Sequence, residues 1–116
     1  PQNDAIQKAI AETYDRGAVV GAVCHGPVSL LNVSLKDGTS LIKGKTIAAF
    51  SNAEEEGYAK DDVPFLLESA LKEKGARFLS VSPWQENSVA DGRLVTGQNP
   101  ASAKGVAEKM IALLEA

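Results

Sequence analysis

The chain opens on a helical rhythm. Residues 3–16 place Ala5, Ile6, Ala9, Ile10 and Thr13/Tyr14 on one face, the spacing of an amphipathic helix. Gly17 follows where a helix favours a left-handed terminator. The rhythm then changes. Ala18 to Val23 reads Ala-Val-Val-Gly-Ala-Val, apolar without alternation, which predicts a strand covered on both faces as in parallel sheets under helices. His25-Gly26-Pro27 breaks that run, and Pro27 suits the first turn of a helix through Val28, Leu30 and Leu31.

Residues 36–44 are polar and turn-rich, a surface connection, and Thr46–Phe50 is the next apolar strand. Ser51-Asn52 followed by Glu54-Glu55 has the form of a capping box opening a short helix. Pro64 to Lys74 carries Phe65, Leu66, Leu67, Ala70 and Leu71 at helical spacing and stops at Gly75. Arg77–Val81 and Gly92–Thr96 are further strands, the second preceded by an Asp91-Gly92 turn. Asn99 is expected to cap and Pro100 to start the last helix, with Gly97 free to take a positive φ. Ala103, Val106, Ala107, Met110, Ile111 and Leu114 form its apolar stripe. Strands alternating with helices predict an α/β layered domain with a mainly parallel sheet. Without an internal repeat, low-complexity segment or linker, residues 1–116 read as a single domain.

Composition narrows the function classes. Hydrophobic residues at 44% and charged residues at 23% exclude a disordered or collagenous chain. Twelve Lys/Arg against fifteen Asp/Glu give a net charge of −3. The signs are interspersed with no basic block, so no nucleic-acid footprint is expected. No apolar run approaches the ~20 residues of a membrane span, and no membrane association is expected. The single cysteine cannot form an internal disulfide, which fits a reducing compartment and a cytoplasmic location. The chain enters its first helix directly from Pro1, as though the protein began elsewhere.

The chemistry concentrates in Gly21-Ala22-Val23-Cys24-His25-Gly26-Pro27, which sets Cys24 between a buried strand and a helix. That is the geometry of a nucleophile elbow. A thiol at a helix N-terminus meets the positive end of the dipole, which favours thiolate and predicts a lowered pKa. Backbone N–H groups there are placed to stabilise an oxyanion. His25 is the only imidazole in the chain, so any Cys–His chemistry must use it. A carboxylate orienting His25 has three candidates, Glu54, Glu55 and Glu56, at the carboxyl edge after the Thr46–Phe50 strand, where open α/β folds bind ligands. Glu54 and Glu55 are equally explained as first-turn helix residues. Trp84, after Pro83, is either a pocket wall or packed.

An ordered set of segments resembles the ThiJ/PfpI superfamily, in the branch of glyoxalase III enzymes and heat-shock chaperones. The segments are Ala22–Pro27, Ile42–Lys45, Phe50–Glu55, Val63–Glu68, Pro83-Trp84 and Asp91–Ala103. The resemblance implies a flavodoxin-like α/β sandwich of the class I glutamine amidotransferase type, of which this chain is the C-terminal half. It implies that Cys24 is the nucleophile, His25 the base and Glu55 the acid, with Glu54 and Glu56 the alternatives if the register slips by one. It implies no cofactor and no metal. Family members of this branch are about twice this length. Their N-terminal half supplies the first strands, a carboxylate hydrogen-bonded to the cysteine and a glycine-rich oxyanion loop, so a companion half is expected on the same or a separate chain. An open strand edge and uncovered apolar surface favour a homo-oligomer.

The function the resemblance implies is cofactor-free conversion of a small reactive 2-oxoaldehyde such as methylglyoxal to a 2-hydroxy acid. A cysteine amidase or peptidase would use the same elbow. A stress-response chaperone or redox sensor is the alternative from another class, since exposed low-pKa thiols oxidise readily.

Overall fold

The computed structural model describes residues 3–115. In chain order they form α1 (Asp4–Asp15), β1 (Val20–Val23), a 3-10 turn (Gly26–Leu30), β2 (Thr46–Ile47), α2 (Asn52–Glu56) and α3 (Leu67–Glu73). There follow β3 (Arg77–Phe78), β4 (Ser88–Asp91), β5 (Leu94–Gly97), a second 3-10 turn (Pro100–Ser102) and α4 (Ala103–Glu115). β5 is the middle strand of one sheet. It runs parallel to β1, with Val20 opposite Leu94 and Val23 opposite Gly97, and antiparallel to β4, with Ser88 opposite Gly97. β2 and β3 pair in parallel. This is a mixed α/β fold whose β1–β5 and β2–β3 ladders are parallel, as the alternating pattern predicts.

The first sheet sets the site. β1 delivers Cys24 at its carboxyl end, alongside the carboxyl end of β5. α4 packs across β1, β5 and β4. A side chain at Gly97 would bring its Cβ to 2.6 Å from Val106 Cγ2 and 3.0 Å from Val23 Cγ2. Gly97 therefore serves close helix–strand approach, and the positive φ expected of it is not found. The core runs through Leu30, Leu31, Val33, Leu41, Ile42, Ile47, Leu71 and Leu94, each nearly closed to solvent.

Several elements differ from the sequence expectation for physical reasons. β1 is not covered on both faces: Val20 is buried, Gly21 is exposed, and Ala22 and Val23 are half-buried. Among the described residues β1 pairs only with β5, so one edge is open. β2 ends at Ile47 because the next backbone donors leave the ladder. Ala48 N donates to Thr96 Oγ1 (2.9 Å) and Phe50 N to the Cys24 carbonyl (2.8 Å). The helix expected at Pro27 is a five-residue 3-10 turn. The helix expected from Pro64 begins only at Leu67.

β4 is absent from the sequence reading, and its partner β5 starts at Leu94 rather than Gly92. The two are joined by a two-residue hairpin turn with Gly92 at φ 60°, the backbone a type II′ turn asks of glycine. α1 turns Ile10, Ala11 and Tyr14 inward and leaves Ile6 51% exposed. α4 buries Val106 but leaves Ile111 and Leu114 53% and 69% exposed, so its apolar stripe is only partly covered.

Candidate active site

Cys24 sits at φ 62°, a left-handed backbone that residues with a side chain rarely adopt. Two backbone hydrogen bonds hold it there: Cys24 N donates to Gly97 O (2.9 Å) and Cys24 O accepts from Phe50 N (2.8 Å). The strand–turn segment thus forms the strained elbow that its sequence predicts.

His25 lies next to the sulfur, with Nδ1 3.6 Å from Cys24 Sγ. Its other nitrogen, Nε2, is 2.6 Å from Glu55 Oε2. With the proton on Nε2, the ring donates to the carboxylate and presents Nδ1 to the thiol as an acceptor. The His25 side chain is 38% exposed and that of Glu55 is 3% exposed.

The three candidate glutamates have three different surroundings. Glu55 alone reaches His25. Glu54 is 1% exposed and accepts from Ser51 N (3.0 Å), Trp84 N (2.8 Å), Gln98 Nε2 (3.1 Å) and Asn99 Nδ2 (2.8 Å). Glu56 points outward to an ion pair with Lys60 at 2.9 Å. Asn99 does not cap the last helix as expected; its amide donates to Glu54 and to Gln85 O (2.6 Å).

An aromatic cluster surrounds the imidazole. Phe50 lies 4.3 Å from the His25 ring, Tyr58 lies 6.2 Å from it, and Trp84 meets Phe50 edge-on at 5.4 Å. Trp84, at φ 66°, is 47% exposed. His25 and Glu55 also line a cavity of about 250 Å3, together with Val28, Val63, Pro64, Phe65 and Leu67. A larger groove of about 490 Å3, between α1 and residues 32–36, touches none of these groups. No group of three or more His, Cys, Asp or Glu side chains converges on a metal position among the described residues.

The sequence profile of the DJ-1/PfpI family matches residues 1–113. The chain belongs to the DJ-1/PfpI family. It is 38% identical to glyoxalase 3 of Candida albicans over 122 residues, covering 99% of this chain and 52% of that protein. The glutathione-independent glyoxalase HSP31 of Saccharomyces cerevisiae gives the same identity and coverage. The crystal structure of the Candida albicans glyoxalase III superposes with a TM-score of 0.84 at 38% identity, over 92% of this chain and 48% of that one. The Rapid Encystment Protein of 24 kDa from Francisella tularensis superposes with a TM-score of 0.93 at 38% identity, over 98% of this chain and 51% of that one. The chain thus spans about half the length of these DJ-1/PfpI proteins.

The electrostatics of this DJ-1/PfpI elbow oppose the expected thiolate. Burial pushes the Cys24 pKa above its ordinary value, the His25 backbone N–H pulls it down, and the charges of Glu54 and Glu55 push it up again. A five-residue 3-10 turn supplies a shorter array of peptide dipoles than the helix expected there. For Glu54, burial also works upward, but hydrogen bonds from Ser51, Trp84, Asn99 and Gln98 hold the carboxyl below its ordinary value. Phe50 and Tyr58 were missed by the sequence reading. Phe50 was detectable, because it closes the apolar Thr46–Phe50 run that leads into the candidate glutamates.

Proposed function

We propose that Cys24, His25 and Glu55 carry a glyoxalase-type reaction, the glutathione-independent conversion of a 2-oxoaldehyde such as methylglyoxal to a 2-hydroxy acid. The observation that carries this reading is the continuous relay from Sγ through the imidazole to Glu55, at 3.6 and 2.6 Å. The names of the two yeast relatives support the substrate class. His25 takes the thiol proton as Sγ adds to the aldehyde carbon, and returns it to the new alkoxide to give a hemithioacetal. A base then removes the hydrogen from that carbon, and a proton is delivered to the neighbouring carbon. One carbon is oxidised and its neighbour reduced, which leaves a 2-hydroxy thioester with no external oxidant. Water cleaves the thioester, releasing the acid and restoring the thiol. Glu55 holds the Nε2 proton and so keeps Nδ1 turned to sulfur.

In this reading a companion half, on the same or a separate chain, completes the sheet and the oxyanion site, and the protein works in the cytoplasm as a homo-oligomer. The exposed apolar side chains Tyr58, Leu79, Trp84, Ile111 and Leu114 also suit a chaperone role.

The test is turnover of methylglyoxal by the whole protein, with neither glutathione nor metal added. Cys24→Ala is expected to abolish 2-hydroxy acid formation, and His25→Ala to slow it by about 10²–10⁴-fold. Turnover that survives Cys24→Ala overturns Cys24 as the nucleophile. Suppression of aggregation that survives it, in a protein without turnover, favours the chaperone.

A further inference from the structure

Glu55 uses only one of its oxygens. Oε2 meets His25, whereas Oε1 is buried without a hydrogen-bond partner. Among the described residues one other buried side-chain atom stands in the same position, Oδ1 of Asn52. Both belong to α2, three positions apart, a spacing that puts two side chains on one helix face with about 5–6 Å between their Cβ atoms. Two buried acceptors without a donor are each costly. Both are closed to bulk solvent.

The Asn52 carboxamide holds the remedy. Its Nδ2 lies 3.0 Å from Ser69 Oγ, and a hydroxyl both donates and accepts. The two ends of a carboxamide are nearly equal in size, so a half-turn about the last side-chain bond exchanges them. Oδ1 then accepts from the Ser69 hydroxyl, and Nδ2 is freed to donate elsewhere.

We propose that Asn52 is a positioning residue for Glu55: its Nδ2–H donates to Oε1, while Ser69 donates to its Oδ1. The Asn52 backbone N–H is already fixed to Glu68 Oε1 at 2.8 Å, so α3 anchors both ends of the residue. The carboxylate is then held by His25 on one oxygen and Asn52 on the other. This rests on the proposed Cys24–His25–Glu55 relay for its catalytic consequence, but not for the hydrogen bond itself.

The test has a structural arm and a kinetic arm. In the unmodified chain, NMR is expected to show a through-space cross-peak from the Asn52 side-chain amide protons to the Glu55 γ-protons. Glu55→Ala is expected to speed exchange of those amide protons about tenfold, and Ser69→Ala to change it less than about twofold. A missing cross-peak, or exchange that follows Ser69 instead of Glu55, overturns the proposal without touching the relay. In the whole protein, Asn52→Ala is expected to lower kcat about 10-fold or more, the scale of outer-shell losses, with KM little changed. Thermal unfolding of each variant confirms that it is folded. An unchanged kcat with the NMR contact present overturns the positioning role. If the wild type lacks aldehyde turnover, the relay reading fails and the NMR arm alone decides the bond.

Discussion

Cys24 holds a backbone that costs about 1–3 kcal/mol for a residue with a side chain, and the carbonyl of Gly97 and the N–H of Phe50 hold it in place. A sulfur fixed this way is half-buried and faces two carboxylates, which explains a pKa above the ordinary thiol range. Its rate of alkylation against pH is expected to rise with a midpoint above about 8.5, the unperturbed value. A midpoint below that value would mean that the His25 N–H outweighs burial and the glutamates. Cys24 and His25 were legible because two reactive residues follow an apolar run and precede Gly-Pro. The choice among the glutamates was not legible from spacing, since Glu54 and Glu55 share the first turn of α2. The capping box separates them: Ser51 and Glu54 serve each other's backbone N–H groups, which commits Glu54 and leaves Glu55 to face His25.

At the scale of elements, Glu54 ties three segments together. It accepts from the start of α2, from Trp84 in the loop before β4, and from Gln98 and Asn99 after β5. Glu54→Ala strands these buried donors and is expected to destabilise the fold by at least about 3 kcal/mol, measured by urea unfolding. Because the folded pKa of Glu54 is depressed, its contribution is present above the unfolded value and is lost as pH falls through the folded value. Loss of stability that is equal in wild type and Glu54→Gln across that acid range would contradict this. The strands were less legible than the helices. β4 is a mixed four-residue segment that becomes a strand only by pairing with β5. β2 stops at Ile47 because Thr96 and Cys24 capture the N–H groups of Ala48 and Phe50, a tertiary event no local pattern shows.

At the scale of the molecule, the α/β class and the order of helices were legible, because periodicity reports which elements have an apolar side. What covers those sides was not. Ile111 and Leu114 on α4, and the open edge of β1, face solvent in the described residues. The chain on its own is expected to sediment above the 12.2 kDa of a monomer, and Ile111→Glu with Leu114→Glu to shift it toward that mass. A single monomeric species at all concentrations would assign no association to this surface.

Trp84 is the only tryptophan in the chain. It touches Phe50 and Tyr58, both of which border the imidazole of His25, and its backbone N–H is tied to Glu54. The indole is thus a built-in optical probe of the elbow. Its emission reads the aromatic wall directly, so occupancy of the site and melting of the Glu54 junction can be followed in the same protein without a label.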